Sequence, residues 1–130
     1  MNILIRVTCP NNRAFIEEAL SKLDFDLYLV KDDSQMLSAL HLATIDAVVI
    51  DATDELHIGL TSLEKVRSFT ENFVPVLLCC ESDELVRVAA NTLAYESKSE
   101  NTGLVVLSEA DAPQFTMKVS ELLLKSVALT

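Results

Sequence analysis

The chain has 130 residues, enough for one well-buried core and too few for two. Hydrophobic residues make up 50% and charged residues 23%, the balance of a folded chain rather than a disordered one. Acids outnumber bases 20 to 10 for a net charge of −10, which argues against nucleic acid or an anionic membrane as partner, since both are gripped through clustered Lys and Arg.

Met1 leads directly into an apolar run, Ile3–Val7, without a basic leader, and the run reads as a strand. Asn11 or Asn12 can cap the helix that follows, whose apolar face is Phe15, Ile16, Ala19, Leu20 and Leu23. The alternating Asp24–Phe25–Asp26 introduces a second strand, Leu27–Val30. Ser34 stands where a second helix begins, with Met36, Leu37 and Leu40 inward and His41 at its surface or boundary. The third run, Ala47–Ile50, is apolar on both faces, as a strand covered by helices on each side must be. Thr61 with Glu64 has the spacing of a capping box, and Leu60, Leu63, Val66 and Phe69 form a third helical face. Val74–Cys80 reads as a fourth strand, its adjacent Cys79 and Cys80 sending one side chain to each face. Ser82 before Asp83 and Glu84 marks a fourth helix, with Leu85, Val88, Ala89 and Leu93 inward. A polar stretch, Glu96 to Asn101, precedes the last strand, Leu104–Leu107. Asp111, Pro113 and Gln114 then open a fifth helix with Phe115, Val119, Leu122 and Leu123 on its inner face.

Strand and helix alternate five times, which predicts a doubly wound α/β domain: a parallel sheet with helices on both faces. No apolar run approaches the roughly 18 residues of a membrane span. The three cysteines read as free thiols of a reducing compartment, so a cytoplasmic location is expected. In such a sheet ligands meet the carboxyl ends of the strands, and the middle strand ends on Asp51.

The segment Ile45-Asp46-Ala47-Val48-Val49-Ile50-Asp51, with Gly59 eight positions on and an amphipathic helix after it, resembles the centre of the response-regulator receiver domain. Val74-Pro75-Val76-Leu77-Leu78-Cys79-Cys80 resembles that family's fourth strand, and Cys9-Pro10-Asn11-Asn12-Arg13 its loop into the first helix. The resemblance spans nearly the whole chain. It implies a flavodoxin-like sheet of order 2-1-3-4-5 with five helices, and makes Asp51 the phospho-acceptor position. Two acidic residues that hold Mg²⁺ in the family are replaced by Val7 and Thr8. Cys80 replaces a hydroxyl-bearing residue, Ser108 followed by Glu109 replaces the lysine, and Val105 replaces the aromatic that swings during switching. Asp51, even with help from Asp54, offers too few carboxylates for Mg²⁺. A phosphoryl group would add roughly one to two negative charges with nothing at these positions to offset them. Arg6 on the first strand either neutralises Asp51 or pairs with another acid near the sheet.

Other chemistry has weaker support. Cys9 between a strand and a helix N-terminus is placed for thiolate stabilisation. However, Cys9 to Arg13 spans Cys-x3-Arg, where the low-molecular-weight tyrosine phosphatases need Cys-x5-Arg, and Pro10 removes a backbone donor. A metal site from Cys9, Cys80, His57 and Asp51 has no supporting Cys-x2-Cys or His-x3-His spacing. The first loop contains no glycine to cradle a flavin phosphate.

The expectation is one receiver-like domain over residues 1–130, either a stand-alone adaptor or the N-terminal domain of a larger regulator. It would be a non-enzymatic pseudo-receiver in signal transduction, with no cofactor and no metal, and with no membrane or nucleic acid contacted by this domain. The alternatives are a phosphorylatable receiver with an atypical pocket around Asp51, and an enzyme or phosphocarrier using Cys9. Its partner would be a protein, a fused output domain or a second copy. The expected contact face is formed by the fourth helix, fifth strand and fifth helix, with Arg87, Lys118, Glu121 and Lys125 as its charges.

Overall fold

The computed structural model describes residues 1–70, 74–95, 101–107 and 111–128, with side chains of the last helix described through Leu123. In chain order the elements are β1 (Asn2–Arg6), α1 (Pro10–Ser21), β2 (Asp26–Val30), α2 (Asp33–Leu42) and β3 (Ala47–Asp51). They continue with α3 (Leu56–Thr70), β4 (Val76–Cys80), α4 (Asp83–Tyr95), β5 (Thr102–Val106) and α5 (Ala112–Ala128). All neighbouring strands pair in parallel, in the order β2-β1-β3-β4-β5. The expected flavodoxin-like topology is therefore the one found.

Each sheet face has its own core. On one side Ile3, Ile5, Val49 and Leu77 meet α1 through Ile16 and Leu20, and α5 through Phe115 and Val119. Phe15 stacks edge-on against Phe115 with ring centroids 5.8 Å apart, and Thr116 donates to the Ala19 carbonyl at 3.0 Å, tying α5 to α1. On the other side Leu4, Val48, Ile50 and Leu78 meet Met36 of α2, Leu63 and Val66 of α3, and Ala89 and Leu93 of α4. Cys79 belongs to the first core and Cys80 to the second, because successive strand residues alternate faces.

Helix boundaries depart from the sequence expectation in informative ways. Cys9, not Asn11 or Asn12, occupies the N-cap of α1, since Pro10 takes the first helical position where its missing N–H costs nothing. The cap of α2 is Asp32, whose carboxylate accepts the Gln35 N–H at 2.8 Å; Ser34 already lies inside the helix. Helix α3 begins at Leu56, so Thr61 and Glu64 sit mid-helix, and the Thr61 hydroxyl instead donates to the His57 carbonyl at 2.8 Å. Ser82 and Asp111 do cap α4 and α5. Ser82 Oγ accepts from Leu85 N–H at 3.3 Å, and Asp111 and Gln114 exchange bonds at 2.8 and 3.2 Å as a reciprocal box.

The buried face of α3 is Gly59, Ser62, Leu63, Val66 and Arg67, rotated from the Leu60 to Phe69 stripe; Phe69 is 46% exposed. Gly59 abuts Ala52 so closely that a Cβ would overlap it. Arg67 is buried and clamps the lower end of the sheet. Its guanidinium donates to the Val74 carbonyl, to the Asn101 carbonyl at 2.9 Å and to the Thr102 hydroxyl at 2.8 Å. Asn101 itself adopts a left-handed φ of 55°, a conformation its short polar side chain tolerates. Apart from Asn101, the polar stretch beginning at Glu96 lies outside the described residues. Among those described, no helix is long and apolar enough to cross a membrane.

Candidate functional site

The chain leaves β1 toward α1 on one face and β3 toward α3 on the other, which opens a crevice at the carboxyl ends of these adjacent strands. Asp51 projects into it from the end of β3, half-buried. One carboxylate oxygen, Oδ1, accepts the Thr53 N–H at 3.0 Å, an Asx turn that fixes the side chain to its own loop. The other, Oδ2, accepts from Asn12 Nδ2 at 3.0 Å, and the same amide donates to Thr53 Oγ1 at 2.9 Å. Asn12 reaches the site because α1 starts at Pro10, which sets its side chain at the crevice. The residue read as a cap is instead the main side-chain partner of Asp51.

The remaining crevice positions carry little charge of opposite sign. Val7 is buried in the α1/α5 core, and its N–H donates to the Val30 carbonyl at 3.0 Å. Thr8 donates from Oγ1 to Asp54 at 3.1 Å, which commits its hydroxyl to a carboxylate of the loop after β3. Cys9 is half-buried with no side-chain capping bond, and Arg13 turns to Glu17 at 3.9 Å. No phosphate-binding arrangement of Cys9 with Arg13 is formed, and the enzymatic reading of Cys9 finds no support. Burial, with the Asp51 charge and Cys80 adding to it, pushes the Cys79 thiol well up, and burial alone pushes Cys80 to about 11. Both are inert thiols rather than nucleophiles. His57 is exposed beside Glu55 at 3.8 Å, and among the described residues no group of three or more His, Cys, Asp or Glu side chains is gathered to hold a metal. Val105 is half-buried on the α5 side of the sheet. Ser108 and Glu109 lie outside the described residues, as does the side chain of Lys125.

A second carboxylate near the same end of the sheet has the opposite surroundings. Asp33, the first residue of α2, accepts from Arg6 Nε at 2.7 Å, from Ser62 Oγ at 2.5 Å and from Lys65 Nζ at 2.8 Å. Burial opposes its charge, but the bonds from Lys65, Ser62 and Arg6, with the Arg6 charge, outweigh that and hold the Asp33 carboxyl below its ordinary value. The choice left open for Arg6 is thereby decided: it pairs with Asp33. Among the described residues no ion pair reaches Asp51.

No protein-family model and no curated protein sequence matches the chain. Solved structures do. A signal receiver domain of an HD domain-containing protein from Pseudomonas fluorescens Pf-5 superposes with a TM-score of 0.78 at 17% identity, covering 98% of this chain and 89% of that one. The fold is that of a receiver domain. A sensor protein from Polaromonas sp. JS666 gives a TM-score of 0.77 at 15% identity over 96% of this chain and 97% of that one. A response regulator protein from Thermotoga maritima in complex with Mg²⁺ and BeF gives 0.69 at 16% identity, covering 93% and 97%. On this receiver fold Asp51 occupies the end of the central strand, and α4, β5 and α5 form a continuous face. That face carries a groove of about 470 Å³ whose lining includes Val86, Val105, Met117, Lys118 and Glu121.

Proposed function

We propose that this chain is a receiver-like signalling module that works by protein interaction and without Mg²⁺-dependent phosphorylation of Asp51. The observation that carries the reading is the crevice itself. Both Asp51 oxygens are engaged by neutral donors, the Val7 side chain offers no oxygen, and the Thr8 hydroxyl is turned to Asp54. Mg²⁺ requires a near-octahedral oxygen shell with charge to balance it, and this donor set does not fit. A phosphoryl group on Asp51 would meet the Asn12 amide and the Thr53 N–H, both neutral, and among the described residues no ion pair is there to balance its charge. The chain instead keeps a fixed crevice and offers the α4–β5–α5 face to a protein partner or an output domain. Val105 in place of a mobile aromatic holds that face in one arrangement, so binding is constitutive.

Incubation with a small-molecule phosphodonor or with beryllofluoride and millimolar Mg²⁺ is expected to leave the intact mass and the amide spectrum unchanged. A metal-dependent gain of one phosphoryl group, absent in Asp51→Asn, would replace this reading with that of an atypical but working receiver. For the face, Arg87→Glu with Lys118→Glu is expected to alter partner capture, whereas Arg13→Glu on α1 is not. The reverse pattern would move the interaction to α1.

A further inference from the structure

The sheet has two open edges, and they are guarded differently. β2 begins on Asp26, is preceded by Asp24 and is followed by Lys31 and Asp32, charges that discourage another strand from pairing there. β5 reads Thr-Gly-Leu-Val-Val and pairs with β4 in unbroken register, so its edge carries no charge, no proline and no bulge.

Its main-chain orientation follows from two bonds. The Asn101 carbonyl accepts from Val76 N–H, and Leu107 N–H donates to the Cys80 carbonyl, so the odd-numbered residues turn toward β4. The N–H and C=O groups of Leu104 and Val106 therefore face away from the sheet, and among the described residues nothing accepts from them or donates to them. They open onto the groove between α4 and α5, which is walled by Val86 and by Met117, the latter 56% exposed. Among the described residues that line it, Asp83 and Glu121 are the acids and Lys118 is the base.

We propose that this groove takes an extended basic segment of a partner protein, which adds to β5 as a sixth strand. The inference rests on the reading of this face as the partner surface and supplies its mode of recognition. Main-chain bonds to Leu104 and Val106 provide the affinity, and alternate apolar residues of the segment turn to the α5 side of the sheet, against Met117. The residues between them turn to the α4 side, where Asp83 selects Lys or Arg. A second copy of the chain brings its own net charge of −10 and is disfavoured at the same edge.

The probe is a short synthetic peptide alternating Val with Arg, compared with one alternating Val with Glu and with a Val/Arg peptide N-methylated at alternate residues. Titration by anisotropy should show the Val/Arg peptide binding about tenfold or more tightly than either comparator. Amide exchange should slow at Leu104 and Val106 when it binds. Leu104→Pro removes an outward N–H while sparing the β4 ladder, and should abolish binding. Should that variant fail to fold, exchange in the unaltered chain still decides the matter. Equal binding by the N-methylated peptide, or no protection on β5, overturns strand addition. Protection of the same amides by self-association alone, seen by sedimentation, overturns the basic segment as occupant. If Arg87→Glu with Lys118→Glu alters partner capture while β5 stays unprotected, the face reading stands and strand addition falls; if neither responds, both fall.

Discussion

Asp33 and Asp51 are two carboxylates near the same end of one sheet, and their surroundings differ in kind. Asp33 gathers a guanidinium, an ammonium and a hydroxyl from two elements, β1 and α3, which meet it on α2. Asp51 gathers an amide and a backbone N–H, both neutral. Arg6, on the strand beside Asp51, faces the α2–α3 side and is committed to Asp33. The positive charge that a phosphorylated crevice would require is thus built into a structural lock on the opposite layer. The lesson is that a carboxylate's position on a fold is not its function; the partners decide whether it holds elements together or faces solvent chemistry.

The largest test of that contrast is stability. Asp33→Ala strands Arg6, whose side chain is 11% exposed, and should cost about 3 kcal/mol in urea unfolding. Asp51→Ala loses two hydrogen bonds from neutral donors at a half-buried site where water can replace the carboxylate, and should stay within about 1 kcal/mol. Equal costs would erase the distinction between lock and crevice.

Acid comes next. Asp33 binds its proton less readily folded than unfolded, so its contribution is fully present above the unfolded pKa of about 4 and is lost as pH falls through the lower folded value. Stability should therefore rise with pH through that acidic window, and the slope should be shallower in Asp33→Asn, as read by chemical unfolding at a series of pH values. An unchanged slope would mean that other carboxylates carry the acid sensitivity.

The smallest effect belongs to Lys65, which is 46% exposed and solvated when unpaired. Lys65→Met should cost less than about 1 kcal/mol, and less still at high salt. A loss as large as that from Asp33→Ala would make the ammonium, not Arg6, the centre of the lock.

Much of the fold was legible because strands buried on both faces advertise themselves. Ala47–Ile50 and Val76–Cys80 are continuous apolar runs, and turn signals with amphipathic stretches between them leave little choice but alternating β and α. The face of α3 was less legible because hydropathy cannot see tertiary partners. Ser62 is buried because Asp33 arrives from α2, and Arg67 is buried because the carbonyls of Val74 and Asn101 meet it. The site divides the same way. The place of Asp51 follows from the end of its strand, and alternation put Arg6 on the Leu4 side. That Asn12 serves Asp51 rather than a helix end depends on where Pro10 starts α1.

Cys79 and Cys80 are neighbours in the chain and are walled into different layers, one beneath α1 and α5, the other beneath α2, α3 and α4. Each thiol can meet a reagent only when its own layer parts from the sheet. Single-cysteine versions at these two positions would thus clock the breathing of each helical layer separately. A partner that clamps one layer would slow one clock and leave the other running.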